Sequence, residues 1–246
     1  MMKLEDVEGV TVVRMAHGKV NALDLELCQA ITATFRDLAT EAHRGIVLTG
    51  DGSAFSAGVD LWRIVEGGPD YVDAFIPALV DAFTSVLTCE KPVVAAVNGH
   101  AIAGGCVLTS CCDHRIMTTG RGGIGIPELV VGVPFPAAAF GIMAHAVGPQ
   151  RARQMALSGK VYSPAEALEL GVVDELAEPE TVLSYAVSHA ARLATTIPQD
   201  TFRLHKAHVR GLTPAPDYDA EVTRIWRERA ADGWIADYMA RATKRR

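Results

Sequence analysis

The chain has 246 residues, 49% of them hydrophobic and only 21% charged, with a formal net charge of −6. That composition excludes a disordered chain, and the acidic balance offers no broad basic surface for nucleic acid or an anionic membrane. A folded chain of this length buries roughly 70–75% of the surface its unfolded form exposes, so one main core, with at most a smaller appendage, is expected.

Residues 10–15 are rich in β-branched side chains and predict a strand, and residues 26–38 place Leu27, Ile31, Thr34 and Leu38 at helical spacing. Residues 45–49 predict a buried strand closed by the turn formers Gly50, Asp51 and Gly52. A helix over 69–87 and a second buried strand over 91–97 follow. Beyond Asn98 the chain passes Gly99, Gly104 and Gly105 in a tight connection that feeds a buried helix, and residues 114–118 predict a third strand. Two short helices are expected over 150–157 and 163–170. The second opens Ser163-Pro164-Ala165-Glu166, a capping box with proline at the first helical position, and Gly171 ends it. More charged helices are expected over 181–195 and 217–246, the latter bearing Trp226, Trp234 and Tyr238, as a cap or an association surface. Strands alternating with helices indicate an α/β fold.

Residues 92–112 and 129–150 carry no charge over about the length of a membrane span. Their content argues for buried segments of a soluble protein instead: Asn98, His100 and three glycines interrupt the first, and Gly132, Pro134, Pro136, Gly141 and His145 the second. The first residues carry Glu5, Asp6 and Glu8 with no apolar core, so no secretory signal is read and a cytoplasmic location is expected. Five cysteines, an odd number without a C-x-x-C pair, argue against a disulfide framework. Cys111, Cys112, Asp113 and His114 are adjacent and diverge, so no metal site is expected there.

Gly120, Gly122 and Gly125 spell G-x-G-x-x-G, but Pro127 stands where a dinucleotide fold needs its helix. Residues 54–58 nearly spell a nucleophile elbow, with alanine in place of the first glycine. A different constellation remains. Two glycine-containing turns, at 56–60 and 99–105, each follow a buried strand, and Glu128 lies among Ile126, Pro127, Leu129, Val130 and Val131. Such turns can aim backbone N–H groups at one point, and a carboxyl in apolar surroundings has its pKa raised, a pairing suited to proton transfer beside a carbonyl. A solvent-facing loop glutamate is the plainer reading of the same residue.

These residues resemble the crotonase superfamily of enoyl-CoA hydratases and isomerases, with matching pieces in family order over residues 20–176. They are Asn21-Ala22-Leu23, Ile46-Val47-Leu48-Thr49-Gly50, residues 54–61, Lys91-Pro92 through Asn98-Gly99, Gly104-Gly105-Cys106, Cys112-Asp113, Pro127-Glu128 and Ser163-Pro164-Ala165-Glu166-Ala167. The resemblance implies a spiral of repeated β-β-α units over residues 1–180 and a C-terminal helical region over 181–246 that takes part in oligomer contacts and in the acyl-CoA site. It also implies an acyl-CoA thioester substrate, coenzyme A being part of that substrate with no separate cofactor, and assembly as a homotrimer or a dimer of trimers. By the same resemblance the amides of Val59 and Gly104 form an oxyanion hole, aided by the start of a helix near Gly104. Glu128 acts on the substrate, and Ala22, Ser56, Ala57, Val59, Asp60 and Phe135 lie along the bound thioester.

The chain departs from the hydratase pattern at two places. A hydratase-like chain carries a second glutamate on the helix after the glycine turn, and here that position is Val107, which can neither hold nor deprotonate water. A glycine-rich turn expected after Glu128 is replaced by Val133-Pro134-Phe135-Pro136-Ala137, read either as a water-excluding acyl wall or as core packing. One glutamate suffices for 3-enoyl-CoA to 2-enoyl-CoA isomerisation, the expected activity. Hydration aided by Thr109, Ser110 or Cys111, acyl-CoA binding without catalysis, and other chemistry on the same fold are the alternatives. Lys206 and His208, in the basic segment 203–210, are either CoA contacts or a solvated helix face.

Overall fold

The computed structural model describes residues 1–41 and 44–211, and the helix expected over 217–246 lies outside them. The chain divides into two compact units, Met1–Thr196 and Ile197–Arg246.

The first unit opens with β1 (Met2–Val7) and β2 (Val10–Met15), an antiparallel hairpin turned by Glu8 and Gly9 at φ 57° and 77°. Sequence patterning does not reveal β1, because it is an edge strand with three charged residues among its six and little buried surface. The chain continues through α1 (Leu25–Thr40), β3 (Gly45–Gly50), β4 (Ala54–Ser56) and α2 (Leu61–Leu87). Then come β5 (Val93–Val97), β6 (His100–Ile102), α3 (Gly104–Ser110), β7 (His114–Thr118), β8 (Ile124–Gly125) and α4 (Glu128–Val131). The remainder is α5 (Ala137–Val147), α6 (Pro149–Ser158), β9 (Val161–Tyr162), α7 (Pro164–Glu169), β10 (Glu175–Ala177) and α8 (Val182–Thr196). In the second unit, α9 spans Gln199–Val209.

Among the described residues the strands form two sheets, one ordered β1-β2-β3-β5-β7-β10 and a smaller one ordered β4-β6-β8-β9. The order reveals a spiral. Each of β3, β5 and β7 joins the large sheet, each of β4, β6 and β8 joins the small one, and α2, α3 and α4 follow in turn. Within the large sheet β2, β3, β5, β7 and β10 run parallel. Both of its faces are covered, which is why these strands read as continuous apolar runs.

Side chains alternate between two cores, as the pleat demands. Val13, Met15, Ile46, Leu48, Val93, Ala95, Val97 and Met117 face the main core, which includes Leu27, Ile31 and Phe35 of α1. Val10, Val12, Val47, Val94, Ala96 and Ile116 face the other way and meet Val182, Ala186, Val187 and Ala190 of α8. α8 covers this face of the sheet, and the first unit runs to Thr196.

The helix expected over 69–87 begins earlier, at Leu61, with the Asp60 side chain accepting from the Trp62 and Arg63 amides. Gly68, at φ 64°, kinks it just before Pro69, so that the sequence shows only the second segment as a regular period. The helix at 163–170 forms as α7 with a reciprocal capping box between Ser163 and Glu166, and Gly171 follows at φ 68°. The glycines of G-x-G-x-x-G serve backbone proximity: a Cβ on Gly122 would lie 3.0 Å from the Gly99 carbonyl, and one on Gly125 2.4 Å from the Lys160 oxygen. Among the described residues no helix is long and apolar enough to cross a membrane. Replacing Ser163 with Ala should lower unfolding free energy by about 1 kcal/mol, read as a lower denaturant midpoint at unchanged slope.

Candidate active site

The three positions that matter are the three strand-to-helix junctions of successive spiral turns. Val59 lies between β4 and α2, Gly104 begins α3 just after β6, and Glu128 begins α4 just after β8. The spiral therefore stacks residues that are far apart in sequence along one edge of the small sheet.

Two of these junctions touch through glycines. Gly58 sits at φ 85°, and a Cβ there would lie 2.6 Å from the Ile102 oxygen and 2.8 Å from the Ala103 Cβ. A Cβ on Gly105 would lie 2.5 Å from the Ser56 oxygen. Asn21, itself left-handed at φ 52°, ties the same region together. Its Nδ2 donates to the carbonyls of Ala54 at 3.0 Å and Phe55 at 3.3 Å, and its Oδ1 accepts from the His17 amide at 3.0 Å. Ser56 is fully buried, with its hydroxyl donating to the Asn21 carbonyl at 2.7 Å and accepting from the Gly58 amide at 3.2 Å.

The Val59 amide owes its direction to a parallel bridge with Leu23. The Leu23 amide donates to Gly58 O at 2.7 Å and the Asp60 amide to Leu23 O at 2.9 Å. In that pattern the bridged residue's own N–H points away from its partner strand. The Gly104 amide is one of the first N–H groups of α3, which lack intrahelical acceptors. Ala103, immediately before it, adopts φ 53° and ψ −122°, a sparsely populated conformation for a residue with a Cβ. It is held by its amide donating to Gly125 O at 2.8 Å and its carbonyl accepting from the Val107 amide at 3.1 Å. The strain thus sits at the residue that aims the Gly104 amide.

Val59, Gly104, Val107, Glu128 and Phe135 line one cavity of about 170 Å³. Ala22, Ser56, Ala57 and Asp60 lie outside that lining, Ser56, Ala57 and Asp60 beside Val59 between β4 and α2, and Ala22 next to Leu23 at the Leu23–Val59 bridge. Val72, Phe75, Ile76, Leu79 and Phe83 of α2 form much of the wall, a contribution that sequence reading missed although their spacing is helical. Glu128 is the one polar side chain among the described lining residues. Its Oε2 is buried without a hydrogen-bond partner, and burial pushes its pKa up to about 7, against a smaller lowering by its own backbone N–H. The solvent-facing reading of Glu128 is thereby corrected. Leu129, Val130 and Val131 turn outward instead, since α4 exposes that face.

All five cysteines are buried without disulfides, and burial, with the Glu128 carboxylate, pushes the Cys106 thiol up to about 12. Thr109 and Ser110 donate to Cys106 O at 2.7 and 2.9 Å, and Cys111 Sγ to Val107 O at 3.3 Å, all inside α3 and its cap. His114, Glu175 and His189 come close enough to suggest an ion site. The two imidazoles stack at 3.9 Å and 16°, however, so their lone pairs run side by side rather than converging on one point. His114 Nε2 meets Glu175 Oε1 at 2.8 Å, a hydrogen bond linking β7 to β10.

This arrangement has close relatives. Residues 5–223 match the enoyl-CoA hydratase/isomerase family. The chain belongs to that family. It is 31% identical over 216 residues, 87% of this chain and 74% of the relative, to enoyl-CoA delta isomerase 1, mitochondrial, of Mus musculus. It is 37% identical over 183 residues, 72% of this chain and 71% of the relative, to a putative enoyl-CoA hydratase of Thermus thermophilus. The crystal structure of human mitochondrial delta3-delta2-enoyl-CoA isomerase superposes with a TM-score of 0.81 at 27% identity, covering 100% of this chain and 99% of that one. The protein is accordingly an enzyme of the crotonase superfamily, with the expected α/β spiral.

Gly58→Ala should cost about 2–4 kcal/mol, combining left-handed strain with a clash against backbone, as read by chemical denaturation. Glu128→Gln should have the opposite sign above neutrality. With a folded pKa near 7 against an ordinary 4.5, the folded state holds a proton that the unfolded chain releases, so native stability falls as pH rises from about 4.5 to about 7. Solvent at the cavity mouth screens the group, leaving a penalty of about 1–2 kcal/mol at pH 8 that the glutamine variant escapes. Unfolding midpoints measured at pH 5 and 8 check this: they should converge at pH 5 and separate at pH 8.

Proposed function

We propose that the protein converts 3-enoyl-CoA thioesters to 2-enoyl-CoA thioesters, with Glu128 as both base and acid. The observation that carries this reading is a single ionisable side chain, titrating near neutrality, in an otherwise apolar cavity that also contains Val59 and Gly104. The thioester oxygen would accept hydrogen bonds from the Val59 and Gly104 amides. The Glu128 carboxylate then takes a proton from C2, and the C–H electron pair delocalises from C2 through the carbonyl and C4. Two preorganised donors are most effective where that negative charge collects. The neutral Glu128 carboxyl returns the proton to C4 as the C2–C3 double bond forms, leaving no net proton change. A pKa near the working pH serves both steps, because a stronger base would hold its proton and a weaker one would not take it.

Hydration needs a second group to hold water. Val107 supplies none, and Thr109, Ser110 and Cys111 lie outside the cavity lining with their side-chain groups directed to α3 carbonyls. Ala22 and Ala57, half-buried beside the Leu23–Val59 bridge, would flank the pantetheine arm, with Ser56 shaping that turn from within and Asp60 capping α2.

Incubation with a 3-enoyl-CoA should give the conjugated 2-enoyl-CoA absorbance without accumulation of a 3-hydroxyacyl-CoA; hydroxyacyl product at a comparable rate selects hydration. Glu128→Gln should lower kcat/KM by about 10²–10⁴-fold with acyl-CoA binding retained, and turnover surviving within a few-fold refutes the single-glutamate mechanism. Because the reactive form is the carboxylate, wild-type kcat/KM should rise with pH and reach half its plateau near the Glu128 pKa of about 7.

A further inference from the structure

The cavity has a rim and a floor. Leu61, Ile76 and Val133 at its edge are exposed, whereas Phe75, Phe83, Val107 and Ala139 at its end are at most 1% exposed. The floor is contributed by three elements, α2, α3 and α5, and all of these side chains also belong to the main core. An acyl chain entering from the rim therefore meets packed interior at that end. The Gly104 end of the oxyanion hole is near that floor, since a Cβ at Gly104 would lie 3.6 Å from the tip of the Phe83 ring and 3.9 Å from Leu79 Cδ1.

The volume within the walls limits how much of the chain can be covered. An enclosed apolar cavity of about 150 Å³ accepts benzene, six carbons, and the pocket here, open at its rim, offers about 170 Å³ within its walls, room to cover a chain segment of comparable bulk. It must hold the thioester carbonyl and reacting carbons as well as the tail, because Val59, Gly104 and Glu128 form part of its own wall. Resting on the proposed isomerase reading, we infer that the protein selects short acyl-CoA thioesters of about six carbons, with Phe75, Phe83 and Ala139 as the residues that set the limit. A longer chain has to leave past the rim residues Leu61, Ile76 and Val133.

The test is binding rather than turnover, so that it stands apart from the reaction. Dissociation constants of saturated acyl-CoAs with 2, 4, 6, 8 and 12 carbons, by calorimetry, should fall roughly fourfold per added methylene up to about six carbons, then level off or rise. Ala139→Leu, which adds bulk at the buried floor, should move the break to about four carbons, with an unchanged denaturation midpoint verifying that the core accepts the larger side chain. Affinity that climbs steadily through 12 carbons, or a break that Ala139→Leu does not move, overturns the inference even if isomerisation is observed. A break near six carbons in a protein that isomerises nothing would leave this size limit standing and remove the isomerase reading alone.

Discussion

The structure depends on how closely the junctions of successive spiral turns approach each other. Backbone meets backbone where Gly58 faces Ile102 and Gly105 faces Ser56, at distances that leave no room for a Cβ. That contact allows a single cavity to be lined by Val59 from one repeat and Gly104 from the next, and the third repeat adds Glu128. The second junction is also bonded to the third, through Ala101 N donating to Gly123 O at 2.9 Å and Ala103 N to Gly125 O at 2.8 Å. A left-handed alanine costs about 1–3 kcal/mol in isolation. It persists here because ladder bonds on one side and the start of α3 on the other fix the backbone at both ends.

Electrostatics turns that geometry into chemistry. A carboxyl buried among valine, phenylalanine and proline loses hydration that no hydrogen bond to Oε2 replaces, so its neutral form is favoured at neutrality. The protein gives up stability at this position, and the surrounding core offsets it: α1, α2 and the large sheet share one continuous apolar cluster. Under the proposed mechanism, activity and stability are opposed at Glu128 while they are aligned at Gly58, where the same contact both packs the fold and aims an amide.

Much of this was legible in the sequence, for identifiable reasons. The parallel strands at 45–50 and 93–97 are buried on both faces and show as unbroken apolar runs, and Ser163 with Glu166 announces its helix by a local hydrogen-bond pattern. The small sheet was not legible, because β4, β6, β8 and β9 are two or three residues long and acquire their meaning only from pairing across the spiral. Glu128 was legible as a candidate from its apolar neighbours, yet the neighbours that matter are Val107 and Phe135 rather than Leu129 to Val131, which α4 turns outward. Ala103 carries no sequence signal: its backbone is imposed by its bonds to Gly125 and Val107.

The central claim is that three junctions converge on one thioester. The most direct measurement is a crystal structure with hexanoyl-CoA, an unreactive saturated ligand. The account predicts the thioester oxygen within about 3 Å of both the Val59 and Gly104 nitrogens, and a Glu128 carboxylate oxygen within about 3.5 Å of both C2 and C4. A thioester oxygen bound away from these two amides, or Glu128 out of reach of C2 while the acyl chain fills the cavity, would contradict it.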